Sequence, residues 1–183
     1  TGGNDTRHVN GWVKKHGNSD FTFPVGDATY QRTIAISNLS ATSEFNCHYY
    51  ITTQNIFNLL SPVVQVKANE YWQLNRIAGG TAQVTLNWDH SKVPMDNILL
   101  TDILASPYSG GNWINGGGAT TATGVVTGTG SVTSNAMNSF AQITLGYETF
   151  PVPLKMISFK AERKQGISSL HWITENEQNV SHF

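Results

Sequence analysis

In TAQVTLNWD (81–89), Val84, Leu86 and Trp88 alternate with Thr85, Asn87 and Asp89, and this two-residue period recurs along the chain. It puts successive side chains on opposite faces of an extended strand, so one face can be apolar and the other polar. TYQRTIAIS (29–37) sets Ile34 and Ile36 against Thr33, Ala35 and Ser37, while CHYYITT (47–53) is aromatic and β-branched. PVVQVKANEYWQLNR (62–76) reads as two strands about a turn at Ala68–Asn69. GNWING, TGVVTGTGSVT and SFAQITLGYE add short strands. No long apolar series at helical spacing appears with caps. A single turn of helix is conceivable at Phe57–Leu60 before Pro62, and ILLTDILA (98–105) reads as a strand or a helical turn. Strands this short, punctuated by Gly, Asn and Pro, predict an all-β, antiparallel sandwich, immunoglobulin-like or jelly-roll-like, over residues 1–150.

The Gly- and Asn-rich stretch 106–121 predicts a long loop, flexible at GGGATTATG and anchored by Trp113 and Ile114. From Pro151 the pattern changes. A Pro-x-Pro hinge leads into Met156, Ile157 and Phe159, then a turn at Gly166 and a second strand with Leu170, Trp172 and Thr174 on one face. Residues 151–183 are therefore expected to form a C-terminal β-strand extension, a partial module or a donated strand. Two strands alone bury too little to be stable. The start at Thr1 and the end at VSHF lead us to expect a processed product or a fragment.

The chain is 183 residues long, enough for one well-buried domain. Only 13% of it is charged and the net charge is −1, against about 25% charged residues in an average domain. No basic stripe exists to follow a phosphate backbone, so no nucleic-acid partner is expected. No apolar run approaches the ~20 residues of a membrane-spanning helix, so no membrane insertion is expected. Cys47 is the sole cysteine and sits on a strand-like run, where the adjacent His48 points to the opposite face. It is expected to be a small buried apolar group.

FTFPVGD (21–27) has one glycine and leads into a strand, whereas a phosphate loop needs several glycines leading into a helix. We read it as a corner: Pro24 ends an edge, Gly26–Asp27 supplies a turn that tolerates positive φ, and Phe21 and Phe23 pack inward.

Here the chain resembles modules of large secreted and surface proteins of Bacteroidetes-type bacteria. HVNGWVKKHGNSDFTFPVGDATYQRTIAIS (8–37) is similar to the family's V-N-G-x-V-x-K-x-G run leading to F-x-F-P-V-G. EYWQLNR (70–76), VTLNWD (84–89) and GSVTSNAMNSFAQITLG (130–146) follow in the same order. PVPLKMISF and HWITENEQNVSHF resemble the opening of a fibronectin-III-like module that often precedes a type IX secretion sorting domain. The resemblance implies an extracellular or cell-surface β-sandwich and does not imply an enzyme. What it carries over is structural: the Pro24-Val25-Gly26 corner, Tyr71 and Trp72, and Trp172.

Three chemistries are weighed beside it. The acids are scattered, and neither G-x-S-x-G nor H-E-x-x-H occurs, so no catalytic residue is assigned. Asp89, Asp96 and Asn97 in WDHSKVPMDN are hard oxygen donors that suit calcium, although D-x-D-x-D-G spacing is missing; no other cofactor is indicated. An exposed aromatic beside amides suits sugar, with Trp113 first, then Trp12 and Tyr108. Leu154, Met156, Ile157 and Phe159 form an apolar strand able to add to another chain's sheet. The expected function is a non-catalytic structural or adhesive module acting through edges and loops, with other modules, copies of itself or surface glycans as partners. The alternatives are an extracellular filament subunit joined by strand addition, and a carbohydrate-binding module of a secreted enzyme.

Overall fold

The computed structural model of the chain describes residues 3–52, 56–96, 98–148, 155–164 and 167–175. It is an all-β antiparallel sandwich followed by a hairpin, and the chain divides into two units, Thr1–Phe150 and Pro151–Phe183.

In the first unit the larger sheet holds β1 (Val13–Gly17), β4 (Ser43–Tyr50), β5 (Gln65–Val66), β6 (Tyr71–Ala78), β8 (Ile103–Ser109), β9 (Asn112–Trp113) and β12 (Gln142–Tyr147). The smaller holds β2 (Phe21–Phe23), β3 (Ile34–Ser37), β7 (Gln83–Asp89), β10 (Thr123–Gly124) and β11 (Thr129–Thr133). Their orders are β1-β4-β6-β12-β8-β9, with β5 also on β12, and β10-β11-β7-β3-β2. The chain crosses between sheets at β1–β2, β3–β4, β6–β7, β7–β8, β9–β10 and β11–β12.

The two-residue period is what aligns the core. Ile34 and Ile36 of β3 and Val84, Leu86 and Trp88 of β7 face Phe45, Cys47 and Tyr49 of β4, Trp72 and Leu74 of β6, and Ile143 and Leu145 of β12. Each such side chain contributes roughly 1.5–3 kcal/mol when fully buried. Gly130 is set by this packing. It lies opposite Trp88 across the β11–β7 pair, and a Cβ on it would come within 2.1 Å of the indole. The indole runs beneath β11 to donate to Val125 O at 3.1 Å.

A turn at Ala68–Asn69 separates β5 from β6, as the sequence predicts, but the two strands do not pair with each other. β5 and β6 both pair antiparallel with β12, which makes them one strand with an interruption between them. Thr144 of β12 plugs the gap, its hydroxyl donating to Glu70 O at 2.7 Å. The reason is burial: the break turns Glu70 fully inward, where it finds partners. Phe57–Leu60 forms no helix. Leu59 makes a parallel bridge to Trp113, and Leu60 N–H donates to Trp113 O. ILLTDILA contains both forms, a 3-10 turn at Leu100–Asp102 and then β8.

The FTFPVGD stretch is a corner. Phe21 and Phe23 meet edge to face at 5.0 Å, and Val25 is buried. Asp27 Oδ1 accepts from the N–H groups of Thr29 and Tyr30, closing the turn. Gly26 is required for space and not for positive φ, since a Cβ there would lie 2.1 Å from Tyr30 O and 2.7 Å from the His8 ring. The glycine-rich loop is tied down as well: Gly116 N–H donates to Ala105 O, and Ala105 N–H to Gly117 O, both at 2.9 Å.

The second unit contains the hairpin β13 (Lys155–Lys164) and β14 (Ile167–Glu175), with a bulge between Met156 and Ser158. Phe159 pairs with Trp172 and Ala161 with Leu170, so these four share one face. Ile157, Phe159, Leu170 and Trp172 are exposed. Pro151–Leu154, the expected hinge and first strand residue, lies outside the described residues.

Gly130→Ala should destabilise the sandwich by about 2 kcal/mol, because the methyl group must displace the Trp88 indole or the β10–β11 hairpin. Urea unfolding of the two proteins, read by tryptophan fluorescence, measures the loss.

Candidate functional site

The ionisable groups of the interior serve the architecture. Arg32, just before β3, and Glu70, just before β6, form a two-bond ion pair, Nε to Oε2 at 3.0 Å and Nη2 to Oε1 at 2.8 Å. Their side chains are 2% and 0% exposed. Tyr49 Oη donates to Glu70 Oε2 at 2.9 Å, and Trp72 Nε1–H donates to Arg32 O at 2.8 Å. The guanidinium also lies 5.9 Å from the centre of the Trp72 ring. Burial, then the Glu70 charge, pushes the Tyr49 phenol well above its ordinary range. Burial alone raises the Cys47 thiol, which agrees with the inert role expected for it.

Asp89 and Asp96 are each bonded to other groups of the protein. Asp89 Oδ1 accepts from Ser91 N–H and Ser91 Oγ, and its Oδ2 lies 3.8 Å from Lys92 Nζ. Asp96 faces Lys67 Nζ at 3.4 Å, and that buried ammonium also donates to Pro94 O. An ammonium thus stands beside each carboxylate. Asn97 lies outside the described residues, and among those described no three His, Cys, Asp or Glu side chains cluster.

The structure moves the sugar-stacking argument from Trp113 to Trp12. Trp113 is 1% exposed and fills a second core with Val63, Val66 and Leu104, so no face of its ring is open. The physical reason is that Leu104 points to the outer side of the larger sheet and needs its own cover. Tyr108 is half-buried against Trp113, edge to face at 5.1 Å. Trp12 is 49% exposed.

Trp12 also begins a row that the sequence reading did not assemble. Its ring stands 5.4 Å from His48, His48 stacks on Tyr50 at 4.3 Å, and Tyr50 stacks on Tyr71 at 4.9 Å. His48 and Tyr50 are the outward positions of β4, two residues apart, and Tyr50 is directly opposite Tyr71 on β6. Asn46, Gln73 and Asn75 continue the same face, with Gln73 Nε2 donating to Asn75 Oδ1 at 2.7 Å. His48 Nδ1–H donates to Tyr49 O at 2.6 Å, which holds its ring upright. The signal was present in His48 and Tyr50, two apart in CHYYITT, and in Tyr71 of EYWQLNR, but only strand register shows that they adjoin.

Of the proposed assembly strand, Ile157 and Phe159 are exposed on β13, Met156 is paired through its backbone with Thr174, and Leu154 lies outside the described residues.

Comparison with protein-family models, with curated proteins and with solved structures finds no match to this chain. No helix among the described residues is long and apolar enough to cross a membrane.

The raised Cys47 and tyrosine groups make the fold alkali-sensitive. Their ordinary values are 9.0 and 10.0, and the folded chain keeps protons that the unfolded chain releases above those values. Through these groups, stability should begin to fall as pH rises beyond about pH 9. Urea midpoints taken from neutral to alkaline pH check this, and Cys47→Ala should remove the part that sets in near pH 9.

Proposed function

We propose that the chain is a non-catalytic adhesive module of an exported protein, and that it binds surface glycan with the outer face of its larger sheet. The observation that carries this reading is the row Trp12–His48–Tyr50–Tyr71 on the outer face beside Asn46, Gln73 and Asn75, with Trp12 exposed and the other three rings half-buried. Aromatic rings supply apolar area against the C–H faces of a sugar, while the amides supply donors and acceptors for its hydroxyls. The commitment of Arg32, Glu70 and Tyr49 to internal bonds supports a binding role over a catalytic one.

The face is favoured over the edges for a physical reason. An open edge invites another strand unless it is short, charged or broken by proline. β2 has three residues and is followed by Pro24, while β9 and β10 have two each. β1 is longer, but it carries Lys14 outward and Lys15 inward. Lys15 Nζ donates to Gly17 O, and burial lowers its affinity for the proton. Inward charge of this kind discourages an added strand.

Affinity electrophoresis through gels containing a soluble β-glucan, xylan or mannan tests the reading. At least one polysaccharide should retard the protein, and Trp12→Ala or Tyr71→Ala should weaken that retardation about tenfold, or roughly 1.4 kcal/mol. Equal retardation of the variants, or none for the parent, would sink it.

A second reading rests on β13–β14. Its exposed face of Phe159, Ala161, Leu170 and Trp172 suits association with another copy or module, through face packing more than strand addition. Light scattering on the full chain should then show concentration-dependent association that a chain ending at Phe150 lacks.

A further inference from the structure

The outer face of the smaller sheet carries a different surface from the aromatic row. A shallow cleft of about 370 Å³ lies over β7 and β11, at the lower end of the range for small-molecule sites. Its floor is two cross-strand rows. In one, Asn87 is directly opposite Ser131 and donates from Nδ2 to Thr33 O and Thr33 Oγ1 at 3.3 and 3.1 Å. In the other, Asp89 is opposite Thr129. Gln31 and Lys92 stand at the rim.

We propose that this cleft is a second binding site, for a single neutral sugar unit or a polyol of that size. The lining decides the chemical class. Hydroxyls, amides and one carboxylate can each exchange hydrogen bonds with a ligand that is donor and acceptor at once. With Asn87 Nδ2 held by Thr33, its Oδ1 remains as an acceptor, and the hydroxyls of Thr129 and Ser131 both donate and accept.

Charge excludes the alternatives. Lys92 Nζ is held by Asp5 at 2.6 Å and lies 3.8 Å from Asp89, so two carboxylates face one ammonium. That balance disfavours a phosphate or a carboxylate ligand. Arg32 lines the cleft, but its guanidinium is bound to Glu70 in the core. The ammonium also stands where a metal ion would have to sit between Asp5 and Asp89. No aromatic face opens into the cleft for a nucleobase, because Trp88 lies beneath Gly130 and is 2% exposed.

The site is independent of the glycan face, and one experiment separates them. Glucose, galactose, mannose, N-acetylglucosamine, inorganic phosphate and calcium chloride are titrated into the isotope-labelled full chain, followed by amide resonances. At least one sugar should shift Asn87, Thr129 and Ser131 with a Kd near ~1 mM. Asn87→Ala and, separately, Ser131→Ala should weaken that binding about tenfold with the unfolding midpoint of Ser131→Ala unchanged, whereas Trp12→Ala should leave it unaltered. The proposal is overturned if no sugar shifts the β7 and β11 amides, if phosphate or calcium shifts them instead, or if Ser131→Ala binds like the parent.

Discussion

The Arg32–Glu70 ion pair links the start of β3 in one sheet to the start of β6 in the other, and much of the surrounding geometry exists to satisfy it. Glu70 reaches the core because β5 and β6 are interrupted there, and Thr144 of β12 restores the hydrogen bond that the interruption removes. Tyr49 closes the carboxylate, and Trp72 both caps the Arg32 backbone and underlies its guanidinium. Desolvating two such ions costs several kcal/mol each, and their attraction offsets this only when the remaining donors and acceptors are also met. Shifting β6 by one residue would send Glu70 to the outside and leave Arg32 buried and unpaired, at a cost of about 3–5 kcal/mol. The pair therefore acts against misregistered sheets more than it adds net stability.

Once register is set, the outward residues follow from the same alternation. Every inward position on β4, β6 and β7 fixes an outward neighbour, and the two outer faces come out chemically distinct. The larger sheet presents aromatics and amides, the smaller one hydroxyls, an amide and a carboxylate. Part of the larger sheet is closed by Trp113, Val63 and Val66 over Leu104. What stays open is the region around β1, β4 and β6, where the aromatic row lies. Substitutions on these outer faces can change the surface chemistry without disturbing the ion pair beneath.

Much of the core was legible from the chain itself. Ile34, Ile36, Val84, Leu86 and Trp88 declare their common side by period alone, and FTFPVGD declares a corner by lacking a helix and a glycine cluster. The failures have separate causes. PVVQVKANEYWQLNR announces its two strands and the turn at Ala68–Asn69, but gives no sign that both strands pair with β12. Trp113 looks like a platform because a glycine-rich setting gives no sign that Leu104 needs cover. Asp96 looks like a free oxygen donor because Lys67 is far away in sequence.

Local pattern by itself determined the all-β class, the face on which each strand residue points and the corner at Pro24, since these depend on backbone geometry within a few residues. Tertiary structure alone decided which outward residues became neighbours. Trp12 and His48 are 36 positions apart, Tyr50 and Tyr71 are 21 apart, and Arg32 meets Glu70 across 38. Such contacts rest on strand order and register, which are settled by how the whole apolar surface and one buried charge pair can be satisfied together.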